Sequence, residues 1–546
     1  MRSFIYVTTA TALMASVFTL QSPLHLRTAE AQAAPACSDG TLVNTGSGPI
    51  CGLITDGVTA YLGVPFAAPP VGAQRWRPPA PTAPWTTTLQ ATQAGLNCPQ
   101  PAFPPGSTSS AARSEDCLTL NMYVPRDAGP GLPVMVEIHG GGFLLGAPPN
   151  GTHLAATGRV IMVSIHYRLG ILGFLAHKAF GEHSGDYGLL DQQAALRWVR
   201  SNISRFGGDP NNVTLFGQSA GGASVCDAAV SPTAAGLFQK GISESAFYNY
   251  NVDKIWSARG DCKSELLTEA EAEARGAAFA AKVGCGSAAD VASCLRAVPA
   301  QTLVENGGQI LAPDAGGTIG PTLNTTTLPI SPAKAFITGR LLNTITMMMG
   351  VARDEFNGGL YTSLVAHSPD DYRTLVQQQF ADRTAAVLER YPVTRFASPF
   401  IAYRTVMADA FSVCPALLAE ERLARHMPVY AFENDNGDTP QNNPTLPLGA
   451  FHNAENPFLF PSPTLTLTPN QAALGDQIVA QWSGFARTGN PAVNGAPRWT
   501  LYANERLVMS LVSSGASALI PAATLNTQHN CSFWNDQNRT AAWSPR

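Results

Sequence analysis

The pentapeptide Gly217-Gln218-Ser219-Ala220-Gly221 sets one hydroxyl between two glycines, after the apolar run Val213-Thr214-Leu215-Phe216 and before small residues that suit a helix start. A Gly-x-Ser-x-Gly turn at a strand-to-helix junction is a nucleophile elbow. Glycines without Cβ atoms let the chain turn sharply there and let neighbouring backbone come close. The serine Oγ then stands out at the carboxyl edge of a sheet, and the N–H of Ala220 faces a developing oxyanion. The chemistry of such a turn is acyl transfer, provided the chain supplies the other parts. Upstream, His139-Gly140-Gly141-Gly142-Phe143 follows an apolar segment. Three successive glycines are expensive in chain entropy unless the backbone itself is used, and N–H groups aimed at an oxyanion are worth about 3 kcal/mol each.

The serine needs a base, and the base an orienting acid. His139 and His166 precede the elbow, whereas the hydrolase order is serine, acid, histidine. Among the later histidines, His367, His426 and His529 occupy polar or helix-flanking stretches and read as solvated. His452 lies in the loop Leu448–Glu455, after the buried segment Pro428–Phe432. For the acid, Asp354 and Glu355 both follow the Met-rich run Asn343–Met349, and the pattern does not choose between them.

These residues must be held by strands that end just before them. Leu132–Ile138 and Val160–Ile165 are nearly continuous in apolar residues, as strands covered on both faces are. Leu189–Phe206 has a helical period ended by Gly207-Gly208, and Gly241–Ser245 reads as another short strand. Ser264–Val283 and Ala472–Arg487 read as helices and Leu507–Leu511 as a last strand, while residues 34–130 suggest short antiparallel strands among Pro- and Gly-rich loops. Strands alternating with helices predict an α/β fold with a large, mostly parallel sheet and helices on both faces.

The chain has 546 residues, 45% hydrophobic and 13% charged, with a net charge of −4. That balance argues against a nucleic-acid partner, and no later apolar run is long enough to insert stably in a membrane. Arg2, the apolar stretch Phe4–Leu20 and the small-x-small sites Ala29–Ala31 and Ala31–Ala33 read as a cleaved export signal. The expected organisation is a signal peptide at 1–33 and one domain at 34–546, in an extracellular or periplasmic protein. Ten cysteines in an exported chain favour disulfides, and without a CxxC pair or HExxH no metal site is expected.

Blocks along the mature chain resemble the type-B carboxylesterase family, which includes the cholinesterases and the larger fungal lipases. They are Leu62–Ala67 with Pro69–Gly72 and Arg75-Trp76; Ser114–Asn121; Tyr167–Gly170 with Gly173–Leu175; Phe206–Pro210 before Gly217–Gly222; Phe485–Pro491; and Cys531–Asn535. The resemblance implies an α/β-hydrolase fold, hydrolysis of carboxylic esters and no cofactor. It implies Ser219 as nucleophile, His452 as base, Glu355 rather than Asp354 as acid, and oxyanion donors at Gly141, Gly142 and Ala220. It also implies disulfides Cys98–Cys117, Cys285–Cys294 and Cys414–Cys531. For the remainder, proximity suggests Cys37–Cys51 and Cys226–Cys262.

Three departures stand out. Phe356 and Asn453 replace glycines that usually follow the acid and the histidine. Gln218 stands where cholinesterases commonly have Glu, and no Trp occurs between Cys98 and Cys117. A choline cation favours aromatic faces and negative charge, so choline esters are not expected. The 18 residues between those cysteines include Pro104-Pro105-Gly106-Ser107, short and polar for a lipase lid. A soluble-ester esterase is expected over a triacylglycerol lipase or an amidase, and the complete triad argues against a non-catalytic binding homologue. The sequons at Asn150, Asn202, Asn212 and Asn324 are glycosylation sites only in a eukaryotic host.

Overall fold

The computed structural model describes residues 37–102, 112–246, 266–307, 320–357, 366–440 and 448–535. The expected export signal at 1–33 lies outside them. In chain order the first eight strands are β1 (Leu42–Asn44), β2 (Pro49–Cys51), β3 (Leu53–Thr55), β4 (Val58–Pro65), β5 (Leu89–Gln90), β6 (Thr119–Pro125), β7 (Leu132–Ile138) and β8 (Ile161–Ile165). The rest are β9 (Gly208–Gln218), β10 (Lys240–Glu244), β11 (Leu267–Thr268), β12 (Thr322–Leu323), β13 (Thr346–Ala352), β14 (Val429–Asn434), β15 (Leu507–Leu511) and β16 (Ala518–Pro521).

Eleven of these form one sheet in the order β16-β15-β14-β13-β10-β9-β7-β8-β6-β4-β3. The stretch from β15 to β8 is parallel throughout, and antiparallel strands flank it on both sides. β1, β2 and β5 make a small separate sheet. This is the α/β-hydrolase architecture, with the antiparallel N-terminal strands the sequence suggests.

Both faces of the sheet are buried, and the side chains of β7 show how. Val134, Val136 and Ile138 pack with Leu196 and Val199 of helix Tyr187–Asn202 and Ala223 of helix Ala220–Val230. Met135 points the other way, into a cluster with Phe216, Ile478 and Trp482, the last two from helix Pro469–Thr488. An apolar run without alternation therefore marks a strand between two helical layers.

The ends of several helices follow local chemistry. The helix expected from Ser264 begins at Glu269, because Thr268 and Glu271 close a capping box, with Leu267–Thr268 in a short strand. Helix Pro469–Thr488 starts before Ala472, on a capping box of Thr468 and Gln471, and stops at Gly489 in the left-handed region (φ 76°). Between helices Pro399–Ala408 and Cys414–Leu423 the chain makes a π-helical turn at Asp409–Val413. Pro415 has no N–H to reach back to the carbonyl of residue 411, so the wider turn there breaks no bond the helix could have made.

Disulfides join Cys37–Cys51, Cys98–Cys117, Cys285–Cys294 and Cys414–Cys531. The pairing of Cys226 with Cys262 falls on a residue outside the described ones.

Candidate active site

β9 runs into the sheet's carboxyl edge and ends at Gln218, and helix Ala220–Val230 leaves immediately. Ser219 between them has φ 60° and ψ −124°, a conformation a non-glycine residue holds only at about 1–3 kcal/mol of strain. Its N–H donates to the Glu244 carbonyl of β10 at 2.9 Å, and its carbonyl accepts the Ala223 N–H at 2.9 Å, so both sides of the turn are fixed. A Cβ on Gly221 would lie 1.8 Å from the Ile138 carbonyl oxygen, and one on Gly217 would lie 2.4 Å from it. The elbow's glycines are therefore demanded by the adjoining strand β7.

The glycine loop continues from β7 directly over the elbow. A Cβ at Gly140 would fall 2.7 Å from the Gln218 carbonyl oxygen and 2.9 Å from Ser219 Cβ. Gly141 (φ 114°) and Gly142 (φ 62°) turn the chain back, and a Cβ at Gly141 would collide with the Leu145 carbonyl at 1.9 Å. The N–H groups of Leu144 and Leu145 both donate to the Gly141 carbonyl. His139 does not reach toward catalysis. Its ring stacks on Tyr167 (centroids 4.5 Å apart), its Nδ1 bonds the Gly140 carbonyl at 2.8 Å, and burial pulls its pKa down to about 4. His166, bonded through Nδ1 to Thr119, is likewise buried and pulled down to about 4. Both are neutral scaffold imidazoles.

Glu355 follows β13, fully buried, and its Oε2 lies 2.5 Å from His452 Nδ1. Its Oε1 accepts the Ala352 N–H at 3.0 Å, and its carbonyl accepts the His452 N–H at 3.2 Å. Asp354, beside it, points elsewhere: its Oδ2 accepts the Ala450 N–H at 3.0 Å and pairs with Arg353 at 2.6 Å. The Asp354 N–H in turn donates to the Ala450 carbonyl at 2.9 Å. One acidic residue thus meets the imidazole and its neighbour holds the loop that carries it.

Asn453 has φ 79°, a left-handed position that Asn tolerates better than most residues, which is why it can replace glycine. Phe356, fully buried, is not among the residues at positive φ, and Arg404 Nη1 bonds its carbonyl at 2.7 Å.

Two features around His452 were not legible in the sequence. The Gln218 side-chain amide lies 3.1 Å from His452 Nε2 and 3.3 Å from Nδ1, where sequence reasoning weighed Gln218 only for its missing charge. Glu455 is buried three positions beyond His452, and burial together with the Glu355 charge pushes its carboxyl up to about 7. A third finding corrects an expectation. His529 is not solvated: it is 6% exposed, with Nδ1 2.6 Å from Asp409 and Nε2 3.3 Å from Glu433. His367 and His426 are exposed as expected. Among the described residues no cluster of His, Cys, Asp and Glu could hold a metal ion.

Comparison with known proteins yields consistent relatives. The family model of the Carboxylesterase family matches residues 39–534. A para-nitrobenzyl esterase of Bacillus subtilis (strain 168) is 34% identical over 485 residues, covering 85% of this chain and 93% of that protein. An acetylcholinesterase of Bungarus fasciatus is 31% identical over 535 residues, covering 90% of this chain and 86% of that one. Carboxylesterase 3B of Mus musculus is 33% identical over 495 residues (81% and 80%). Among solved structures, a thermophilic pNB esterase superposes with a TM-score of 0.74 at 31% identity, over 90% of this chain and 99% of that one.

Proposed function

The chain belongs to the carboxylesterase family and hydrolyses carboxylic esters, and on that premise we propose a secreted enzyme that works through an acyl-serine at Ser219 and prefers neutral, soluble esters of short to medium acyl chain. The observation that carries the reading is the Glu355–His452 contact of 2.5 Å, on the loops that follow β13 and β14, in a chain whose strained elbow presents Ser219.

In the proposed reaction His452 Nε2 takes the Ser219 hydroxyl proton as Oγ bonds to the ester carbonyl carbon. Glu355 holds Nδ1–H, so the Nε2 lone pair, which faces the Gln218 amide at 3.1 Å, takes that proton as the amide gives way, and Glu355 stabilises the imidazolium that results. The carbonyl oxygen becomes an oxyanion against the N–H groups of Gly141, Gly142 and Ala220. Collapse breaks the bond to the alcohol oxygen, which leaves with the proton from His452. Water then attacks the acyl-serine with His452 again as base, releasing the acid and restoring Ser219.

Support for the substrate preference is compositional: Gln218 in place of a charge, no Trp between Cys98 and Cys117, and a polar segment between those cysteines. Support for secretion is the Arg2 and Phe4–Leu20 leader together with four disulfides among the described residues, since disulfides persist in oxidising compartments. The test of preference is the rate on tributyrin followed through its solubility limit, alongside nitrophenyl esters graded by acyl length and a choline ester. A smooth rise with concentration, a gain with acyl length until the pocket fills, and a poor choline ester are expected. A jump confined to the onset of emulsion identifies a lipase instead.

A further inference from the structure

The glycine loop is held at more points than its own turn. Near its start the Tyr167 hydroxyl donates to the His139 carbonyl at 2.8 Å, and in its middle the Gly170 N–H donates to the Phe143 carbonyl at 2.6 Å. Its far end, Gly146, is held by a single side chain from a distant part of the sequence. The Gly146 N–H donates to Gln100 Oε1 at 2.9 Å, and Gln100 Nε2 donates back to the Gly146 carbonyl at 2.9 Å. The same Nε2 reaches the Cys98 carbonyl at 3.1 Å. Reversing the amide would set oxygen against oxygen and N–H against N–H, so this pattern fixes its orientation.

Gly146 itself presses on the first residues of the loop. It has φ 132°, and a Cβ there would lie 2.2 Å from His139 Nδ1 and 2.5 Å from the Gly140 carbonyl oxygen. Whatever fixes Gly146 therefore fixes the base from which Gly141 and Gly142 project. Gln100 stands two residues beyond Cys98, which is buried and bonded to Cys117.

We propose that Gln100 is a positioning residue for the oxyanion N–H groups of Gly141 and Gly142, and that it couples the Cys98–Cys117 disulfide to the rate of acylation. The inference rests on the function proposed above. Donors aimed at an oxyanion act only when aligned, and small misplacements are expensive because the charge develops only in the transition state. Gln100 touches no reacting atom; it acts through Gly146.

The experiment uses the full-length protein with Gln100→Met, which keeps length and removes all three bonds, and Gln100→Glu, which keeps acceptance from Gly146 but sets a carboxylate oxygen against the Gly146 and Cys98 carbonyls. For each, kcat and KM on a nitrophenyl ester are measured together with the inhibition constant of a trifluoromethyl ketone, whose serine adduct carries an oxyanion. Gln100→Met is expected to lower kcat about tenfold and weaken the ketone by a similar factor, with KM within about twofold. Gln100→Glu should lose at least as much as Gln100→Met, because an oxygen then faces two carbonyl oxygens. Replacing Cys98 and Cys117 by Ser should also lower kcat, and combining that change with Gln100→Met should add little. Wild-type kcat and ketone affinity in Gln100→Met overturn the inference, as does a parallel rise of KM and inhibition constant, which means general loosening. Additive losses with the cysteine changes overturn the coupling. A wild-type protein that neither turns over the ester nor binds the ketone undoes the proposed function itself.

Discussion

Replacing Glu355 by Gln removes a charge and little else. The side chain is fully buried, with Oε2 against His452 Nδ1 at 2.5 Å and Oε1 on the Ala352 N–H. When His452 becomes an imidazolium, two unit charges about 4 Å apart at an effective dielectric near 20 attract by about 4 kcal/mol. That is roughly a 10³-fold factor in rate. An amide also offers His452 an N–H as readily as an oxygen, so control of the tautomer weakens and the loss should reach about 10³–10⁴. Asp354→Asn is the internal comparison. Asn keeps an oxygen for the Ala450 N–H and loses mainly a pair with Arg353, whose side chain is 37% exposed, so a loss of only a few fold is expected. The assay is kcat/KM on one nitrophenyl ester, with thermal unfolding to show that both variants are folded. Equal losses, or a larger loss in Asp354→Asn, would refute the assignment of the two carboxyls.

Two further outcomes follow from packing and charge. Burial pulls the His529 imidazole down, but Asp409 and Glu433 overcome this and push it up to about 10, against about 6.5 unfolded. The folded chain thus binds that proton more tightly, and the stability it adds is full below about 6.5 and lost as pH rises through about 10. Its size is at most about 5 kcal/mol, less the cost of burying Asp409, whose carboxyl burial holds above its usual range. Urea unfolding from pH 6.5 to 10 should therefore show wild type losing more stability than His529→Gln; parallel curves would contradict it. Gly221→Ala, whose Cβ would sit 1.8 Å from a backbone oxygen, should lower both turnover and melting temperature, whereas Gly515→Ala, which meets nothing within 4 Å, should change neither. Turnover and melting are the measurements, and an active, stable Gly221→Ala would show that the elbow has room.

What could be read from the sequence was whatever the backbone demands locally. Gly217, Gly221 and Gly140–Gly142 announce close approaches through residue type alone, and unbroken apolar runs such as Leu132–Ile138 announce strands covered twice. The acid was different. Asp354 and Glu355 are neighbours of similar chemistry, and the residues alone left both open; which of them meets His452 depends on how the chain turns after β13. His529 misled for a related reason. It flanks a helix in a polar stretch, but its partner Asp409 is 120 residues away and enters through a π-helical turn that no short pattern encodes. Gln100 has the same character, because its significance lies in Gly146, 46 residues on, and in the loop beyond.

The central claim is that Ser219 is the residue acylated during turnover. Stoichiometric reaction of the active protein with a fluorophosphonate, followed by proteolysis and mass spectrometry, tests it directly. One adduct per chain, on the peptide containing Ser219, appearing in step with loss of ester hydrolysis and missing in Ser219→Ala, is the predicted result. Full inactivation with the adduct on another residue, or undiminished hydrolysis by a folded Ser219→Ala protein, would contradict it.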